Sequence, residues 1–216
     1  MTRTLAEAAA EAANCTKCGL AQGRTQVVFG VGDHDADLMF IGEGPGFHED
    51  KQGEPFVGAA GQLLTRMLGE IGLTRERVYI ANIVKCRPPG NRDPRPDEIE
   101  ACTPWLVEQI SLIQPHVIVT LGNFATRFVL NTQAGITRLR GQVHAWHGRT
   151  VIPTFHPAAI LHGGGERSRQ FSLLRDDFVL ARRTLDDLRA AEASPEVTVI
   201  GTPDAPAVDP GQLELF

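Results

Sequence analysis

Four cysteines, Cys15, Cys18, Cys86 and Cys102, are the only thiols in 216 residues, and the first two form a Cys-x-x-Cys pair. Outside a secretory context that spacing marks a metal, cluster or redox site more often than a structural disulfide. Four thiolates can complete either a zinc ion or an iron–sulfur cluster, and the count does not choose between them. The plainer alternative is a small redox pair beside two unrelated buried thiols.

A second concentration of chemistry lies in residues 42–61, GEGPGFHEDKQGEPFVGAAG, with glycines at 42, 44, 46, 53, 58 and 61 and carboxylates at Glu43, Glu49, Asp50 and Glu54. Glycine at this density lets a backbone approach a ligand, at an entropic cost that a mere connection rarely carries. This is therefore expected to be a binding loop, the alternative being a linker that holds nothing. It matches neither the G-x-G-x-x-G nor the Walker pattern, so phosphate cradling is not the best account of its glycines. Two further polar residues interrupt or end apolar runs: Asn82 within 78–84 and His156 before Pro157. A buried amide must find partners, so Asn82 is a satisfied core residue or a ligand-binding group near a strand end.

These groups must be positioned by regular elements. Thr4 and Glu7 form a capping-box signature for a helix over 5–13 that delivers Cys15 and Cys18. Strands are expected at 37–41, 78–84, 116–121 and 151–155, and helices from about 62, from Pro96, from 122 to about 130 and over 168–191. Pro104 should kink or interrupt the second of these helices, and 135–147 reads as a hairpin or irregular β excursion. Alternating strands and helices predict an α/β/α fold, a doubly wound, mostly parallel sheet of about four strands. Ligands in such sheets bind beyond the carboxyl ends of the strands, where the glycine turn, Asn82 and His156 all fall.

The net charge of −5 is carried by Glu192, Glu196, Asp204, Asp209 and Glu214, since the remaining chain has 21 acids against 21 bases. A neutral body still permits a basic face, and Lys85, Arg87, Arg92 and Arg95 cluster locally, with Arg138 and Arg140 further on. Ordinary solvated side chains are the alternative. The N-terminus shows no apolar leader core and no run approaches membrane-spanning length, so a cytoplasmic, nucleoid-associated monomer with no membrane contact is expected. Residues 1–191 form the expected domain and 192–216 a disordered acidic, Pro-rich tail.

Taken together, Gly42-Glu43-Gly44-Pro45-Gly46 with Glu49-Asp50, Pro55-Phe56-Val57-Gly58, Ala81-Asn82-Ile83-Val84-Lys85-Cys86-Arg87-Pro88-Pro89, His156-Pro157 and the four cysteines in order resemble the family 4 uracil-DNA glycosylases over residues 1–190. The resemblance implies that Cys15, Cys18, Cys86 and Cys102 hold a structural 4Fe-4S cluster. It implies a hydrolase of base excision repair that flips uracil from single- or double-stranded DNA and cleaves its N-glycosidic bond, leaving an abasic site. Gly42, Glu43, Gly44 and Asn91 would border the base, and Phe56 would stack on it, although a core aromatic is the ordinary account of such a residue. The Asn82 amide would pair with uracil O4 and N3–H, His156 would stabilise the departing anion through O2, and Glu43 or Glu49 would prepare the water. Lys85, Arg87, Arg92 and Arg140 would meet the DNA backbone.

Two other functions compete with this one. A related branch captures uracil-DNA covalently through a histidine in a basic insertion, but the nearest counterpart here, Thr137-Arg138-Leu139-Arg140-Gly141, has none. A metal-stabilised nucleic-acid-binding module without activity is the other. Phe47 and His48 stand where the family's loops are often acidic, and no role follows for them from the resemblance. The terminal Gln212, Leu213, Glu214, Leu215 and Phe216 resemble the peptide by which bacterial replication and repair proteins bind the sliding clamp.

Overall fold

The structure, a computed structural model, describes residues 3–193; the tail with Gln212, Leu213, Leu215 and Phe216 lies outside the described residues. The Thr4 hydroxyl accepts from the Glu7 amide and the Glu7 carboxylate accepts from the Thr4 amide, which opens α1 (Leu5–Ala12) as the capping box predicts. Caps of this kind contribute about 1 kcal/mol. Leu5, Ala8 and Ala12 share the buried face of α1, and the chain leaves the helix just before Cys15.

The remaining elements alternate. β1 (Val31–Gly32) and β2 (Leu38–Gly42) precede α2 (Phe47–Gln52) and α3 (Ala59–Glu70); β3 (Tyr79–Asn82) leads to α4 (Pro96–Ile113), and β4 (Val117–Leu121) to α5 (Gly122–Leu130). α6 (Ile136–Leu139), β5 (His144–Trp146), β6 (Arg149–Thr154), α7 (Pro157–His162) and α8 (Arg169–Ala193) complete the described chain.

The strands form one sheet in the order β1-β3-β2-β4-β6-β5. The four central strands are parallel, as the alternating pattern requires, while β1 and β5 run antiparallel at the edges. The expected four strands are thus the parallel centre, and the sheet has two edge strands more. Both were too short, at two and three residues, to show a period. Every residue of β2 and β4 is buried, because helices cover both faces. Met39 and Ile41 point into a core with α1, α4 and α5, and Leu38 and Phe40 into a second core with α3 and α8. In α8 the buried positions Leu174, Phe178, Ala181 and Leu185 recur at helical spacing, and the Phe178 ring lies 5.4 Å from that of Phe40. Pro153 is tolerated in β6 because β5 pairs only with Arg149, Thr150 and Val151, so no ladder bond needs its missing N–H, while its carbonyl accepts from the Gly141 amide at 3.3 Å.

Four expectations need correction. Residues 42–61 are not one loop, since α2 occupies their middle. Pro104 does not interrupt α4, which runs unbroken from Pro96 to Ile113. The region 135–147 begins with one helical turn, α6, and only its end is β. Asn82 does not break a strand; it ends one, opposite Gly42 in register.

Candidate active site

β2, β3, β4 and β6 are parallel, so their carboxyl ends share one rim, and each delivers a residue there. β2 ends at Gly42 and runs into Glu43, Gly44, Pro45 and Gly46; β3 ends at Asn82; β6 ends two residues before His156. Glu43, Gly44, Glu49, Phe56, Asn82, Asn91 and His156 line one pocket, together with Arg92 and Asp93. At the end of β4, Gly122 has φ +89, and a Cβ there would press against the His156 side chain at 3.0 Å. Only glycine combines that backbone conformation with that approach.

Gly42 is required for a different reason. A methyl on it would overlap both the Asn82 carboxamide and the Phe56 ring, so the three residues are packed as one unit. Pairing continues past the strands, from the Ile83 amide to the Gly42 carbonyl (3.0 Å) and from the Val84 amide to the Glu43 carbonyl (3.1 Å). The turn after β2 is thereby laid along the chain leaving β3.

Asn82 is 1% exposed, and its Oδ1 is buried without a hydrogen-bond partner in the protein. An orphaned buried acceptor costs about 1–3 kcal/mol, a penalty that a donor on a bound molecule removes.

Phe56 belongs to both the core and the pocket wall. It is buried in the α3/α8 core and also walls the pocket, its ring stacked on that of His156 at 5.7 Å and 29°. Its backbone is left-handed, φ 55, a conformation that costs a non-glycine residue about 1 kcal/mol or more. Arg75 holds it there, donating to the Phe56 carbonyl at 3.0 Å, to the Pro55 carbonyl at 2.7 Å and to Glu54 at 3.0 Å.

Burial drives the His156 pKa down to about 4, with the charge of Glu49 opposing the shift. The ring is therefore neutral at physiological pH. Its Nδ1 accepts from the Ala158 amide at 3.1 Å, which places the single ring proton on Nε2 as a donor. Glu43 is pushed up to about 7 by burial first and by the charge of Asp93 second. Glu49 is engaged differently: its Oε1 accepts from the amides of Val57 (3.0 Å) and Gly58 (2.9 Å), the residues that open α3. Its position explains two more glycines, because a Cβ at Gly46 or Gly58 would crowd this carboxylate.

The basic residues separate. Arg87 reaches the rim, its Nε donating to Asn91 Oδ1 at 2.7 Å, and Arg92 sits on the pocket wall in a two-pronged pair with Glu98. Lys85 and Arg140 do not face DNA as the sequence suggested. Lys85 is 1% exposed; its ammonium donates to the Asn82 carbonyl (2.7 Å) and to Gln109 Oε1 (2.5 Å). Arg140 donates to Asp177 and to the Leu173 carbonyl (2.9 Å), and Thr154 donates to the same buried aspartate, so the guanidinium ties the end of α6 to α8 and the Thr154 hydroxyl ties β6 to it. Proximity in sequence to exposed arginines gave no sign of either burial.

Cys15, Cys18, Cys86 and Cys102, all free, line one cavity between the end of α1, the segment after β3 and α4. Among the described residues no three His, Cys, Asp or Glu side chains converge on a point as a single ion requires. The Lys85 amide donates to Cys102 Sγ at 3.2 Å, and Arg24 Nη1 donates to Cys86 Sγ at 3.5 Å and to the Cys15 carbonyl at 2.6 Å. Burial pushes the Cys86 thiol up to about 11, against the pull of Arg24, and raises Cys102 as well. Asp93, Arg24 and Gln109 were not singled out from sequence; each is polar and set in a loop or helix face, where only the fold shows what it touches.

Residues 29–179 match the family model described as the uracil DNA glycosylase superfamily. Three similar proteins are named type-4 uracil-DNA glycosylases. That of Sulfurisphaera tokodaii is 48% identical over 78% of this chain and 79% of its own. Those of Archaeoglobus fulgidus and Thermotoga maritima are each 50% identical, over 70% and 74% of this chain and 80% and 84% of theirs. The chain belongs to the type-4 uracil-DNA glycosylases. In this type-4 chain the matched segment contains the whole pocket, from β2 to His156, while Cys15 and Cys18 precede it.

Proposed function

We propose that the protein removes uracil from DNA by hydrolysing the N-glycosidic bond, and the orphaned Asn82 Oδ1 facing the same pocket as the His156 donor carries this reading. Uracil N3–H satisfies that oxygen and uracil O4 accepts from the Asn82 amide nitrogen. Cytosine presents the reverse pattern and leaves buried groups unpaired on both sides. Phe56 supplies the wall against which the flipped ring lies.

As the bond from C1′ to N1 breaks, its electron pair passes to uracil and positive charge builds on the sugar. The neutral His156 donates from Nε2 to the developing oxyanion at O2. A neutral donor does not protonate the ground state, and its hydrogen bond strengthens as charge develops, which is the condition for lowering the barrier. Glu43 is assigned to the water: it orients the molecule, accepts its proton as the oxygen attacks C1′, and its negative charge favours the cationic sugar. Glu49, fixed to the Val57 and Gly58 amides, shapes the loop instead. Water is assigned as the nucleophile and the enzyme as monofunctional, a reading supported by the Lys85 amine being engaged with the Asn82 carbonyl and Gln109.

The four cysteines fit a 4Fe-4S cluster, because they border one cavity and two of their sulfurs already receive N–H donors of the kind that surround cluster thiolates. A cluster keeps four thiolates apart by its own body and needs no single point of convergence. Its role is that of a cross-link between α1, α4 and the segment after β3, since hydrolysis of a glycosidic bond transfers no electrons. Arg87 and Arg92, at the rim, are assigned to phosphates of the bound strand.

The test is release of free uracil from single- and double-stranded oligonucleotides, with loss in Asn82→Ala and His156→Ala. Binding of uracil-DNA without release, or an SDS-stable adduct, overturns the reading.

A further inference from the structure

Phe47 is the first residue of α2, directly after the pocket residue Gly46, and it is 44% exposed. It belongs to neither core. Two cations flank the ring: Lys51 Nζ lies 4.4 Å and the Arg87 guanidinium 5.1 Å from its centroid. The His48 ring stands nearly perpendicular to it at 5.4 Å. Arg87 in turn is anchored by Asn91, a residue of the pocket wall. An exposed aromatic ring held by two cations at the mouth of a base pocket contributes little to folding. It has what single-stranded nucleic acid meets on a binding surface, a π-face for a base and positive charge for the backbone.

We propose that Phe47 is a stacking platform for a nucleobase adjacent to the flipped uracil, with Lys51 and Arg87 turning from the ring to the phosphates on either side of that base. The proposal rests on the uracil-release reading above. Flipping removes uracil from between its neighbours, and a base that loses that stacking partner regains one on Phe47. The platform adds affinity for the strand and takes no part in bond cleavage.

The test uses the full-length protein and fluorescent single-stranded oligonucleotides carrying 2′-fluoro-2′-deoxyuridine, whose electron-withdrawing fluorine resists cleavage. Three oligonucleotides are compared, with both neighbouring bases present, or with an abasic tetrahydrofuran on the 5′ or on the 3′ side. Phe47→Ala weakens binding of the first about tenfold, within the range a stacked base contributes. On one of the two abasic oligonucleotides, wild type and variant bind alike. Phe47→Trp retains wild-type affinity and Phe47→Leu, apolar without a π-face, does not. Single-turnover uracil release at saturating enzyme is unchanged in Phe47→Ala. Equal binding of wild type and Phe47→Ala to the intact strand overturns the proposal, as does a loss that persists on both abasic strands. Uracil release is measured separately on ordinary deoxyuridine, so its absence would strike the catalytic reading while the binding comparison still judges the platform.

Discussion

The ammonium of Lys85 donates a 2.7 Å hydrogen bond to the backbone carbonyl of Asn82, and the amide of the same lysine donates to Cys102 Sγ. Asn82, which lines the pocket, and Cys102, which borders the cysteine cavity, are thus held by one side chain and its own backbone. Lys85→Met, similar in length and apolar, leaves the Asn82 carbonyl and Gln109 Oε1 without this donor, and each such loss costs about 1–3 kcal/mol. Removal of a buried ammonium offsets part of that cost. The variant is expected to fold with a lowered Tm and a reduced single-turnover rate, while its affinity for undamaged DNA is unchanged. Loss of non-specific DNA binding instead would return Lys85 to the surface role that its neighbours suggest.

The pH dependence follows from two opposite shifts. His156 is neutral down to about pH 4, so no inflection from it is expected near 6.5. Glu43, raised to about 7, is protonated below that value, and uracil release should fall as pH drops through 7. Asp93 contributes to the rise, so Asp93→Asn is expected to move this limb to lower pH. Single-turnover rates between pH 5 and 9 measure the limb directly.

Stability carries the same signature. A carboxylate whose folded pKa exceeds its unfolded value destabilises the fold as it ionises: stability is retained below the unfolded value near 4.5 and lost as pH rises through 7. Glu43→Gln is accordingly expected to raise Tm at pH 8 and to leave it unchanged at pH 4. An equal change at both pH values would mean that packing, and not charge, is responsible.

Two glycines of α3 should respond oppositely to alanine. A Cβ at Gly61 would overlap the Phe56 carbonyl, whereas at Gly69 it meets nothing within 4 Å. Gly69→Ala is expected to stabilise by about 0.5–1 kcal/mol through helix propensity alone. Gly61→Ala should lower both Tm and uracil release, because Phe56 is displaced from His156. Urea unfolding paired with the release assay separates the two.

For the cysteines, protein purified without oxygen is expected to be brown, with absorption that bleaches on reduction and four irons per chain. Cys86→Ser or Cys102→Ser should lose the colour and lower Tm, their thiols being the buried pair. A colourless wild type with one zinc per chain would overturn the cluster assignment.

The parallel centre of the sheet was legible in the sequence because strands such as 38–41 are continuously apolar and end at glycine or proline signals. The joint placement of Gly42, Asn82 and His156 followed from the rule for parallel sheets, and the structure brings all three together. What sequence did not show was direction. Lys85 and Arg87 are two residues apart, yet one is buried and the other reaches the rim, because the chain after β3 stays paired with the turn after β2 through Ile83 and Val84. Arg140 looked like a surface cation until its partner Asp177, 37 residues away, was seen buried beneath it. Phe56 could not be assigned to core or pocket from its type, since it serves both.

The rim shared by four parallel strands has a consequence for how this protein can change. The middles of the strands bind the two hydrophobic layers together, whereas the pocket is lined in part by residues at the ends of the strands or within two residues beyond them. Specificity and foldability are therefore written in different positions of the same segments, and a new base preference can be sought at strand ends with the interior sequence left as it is.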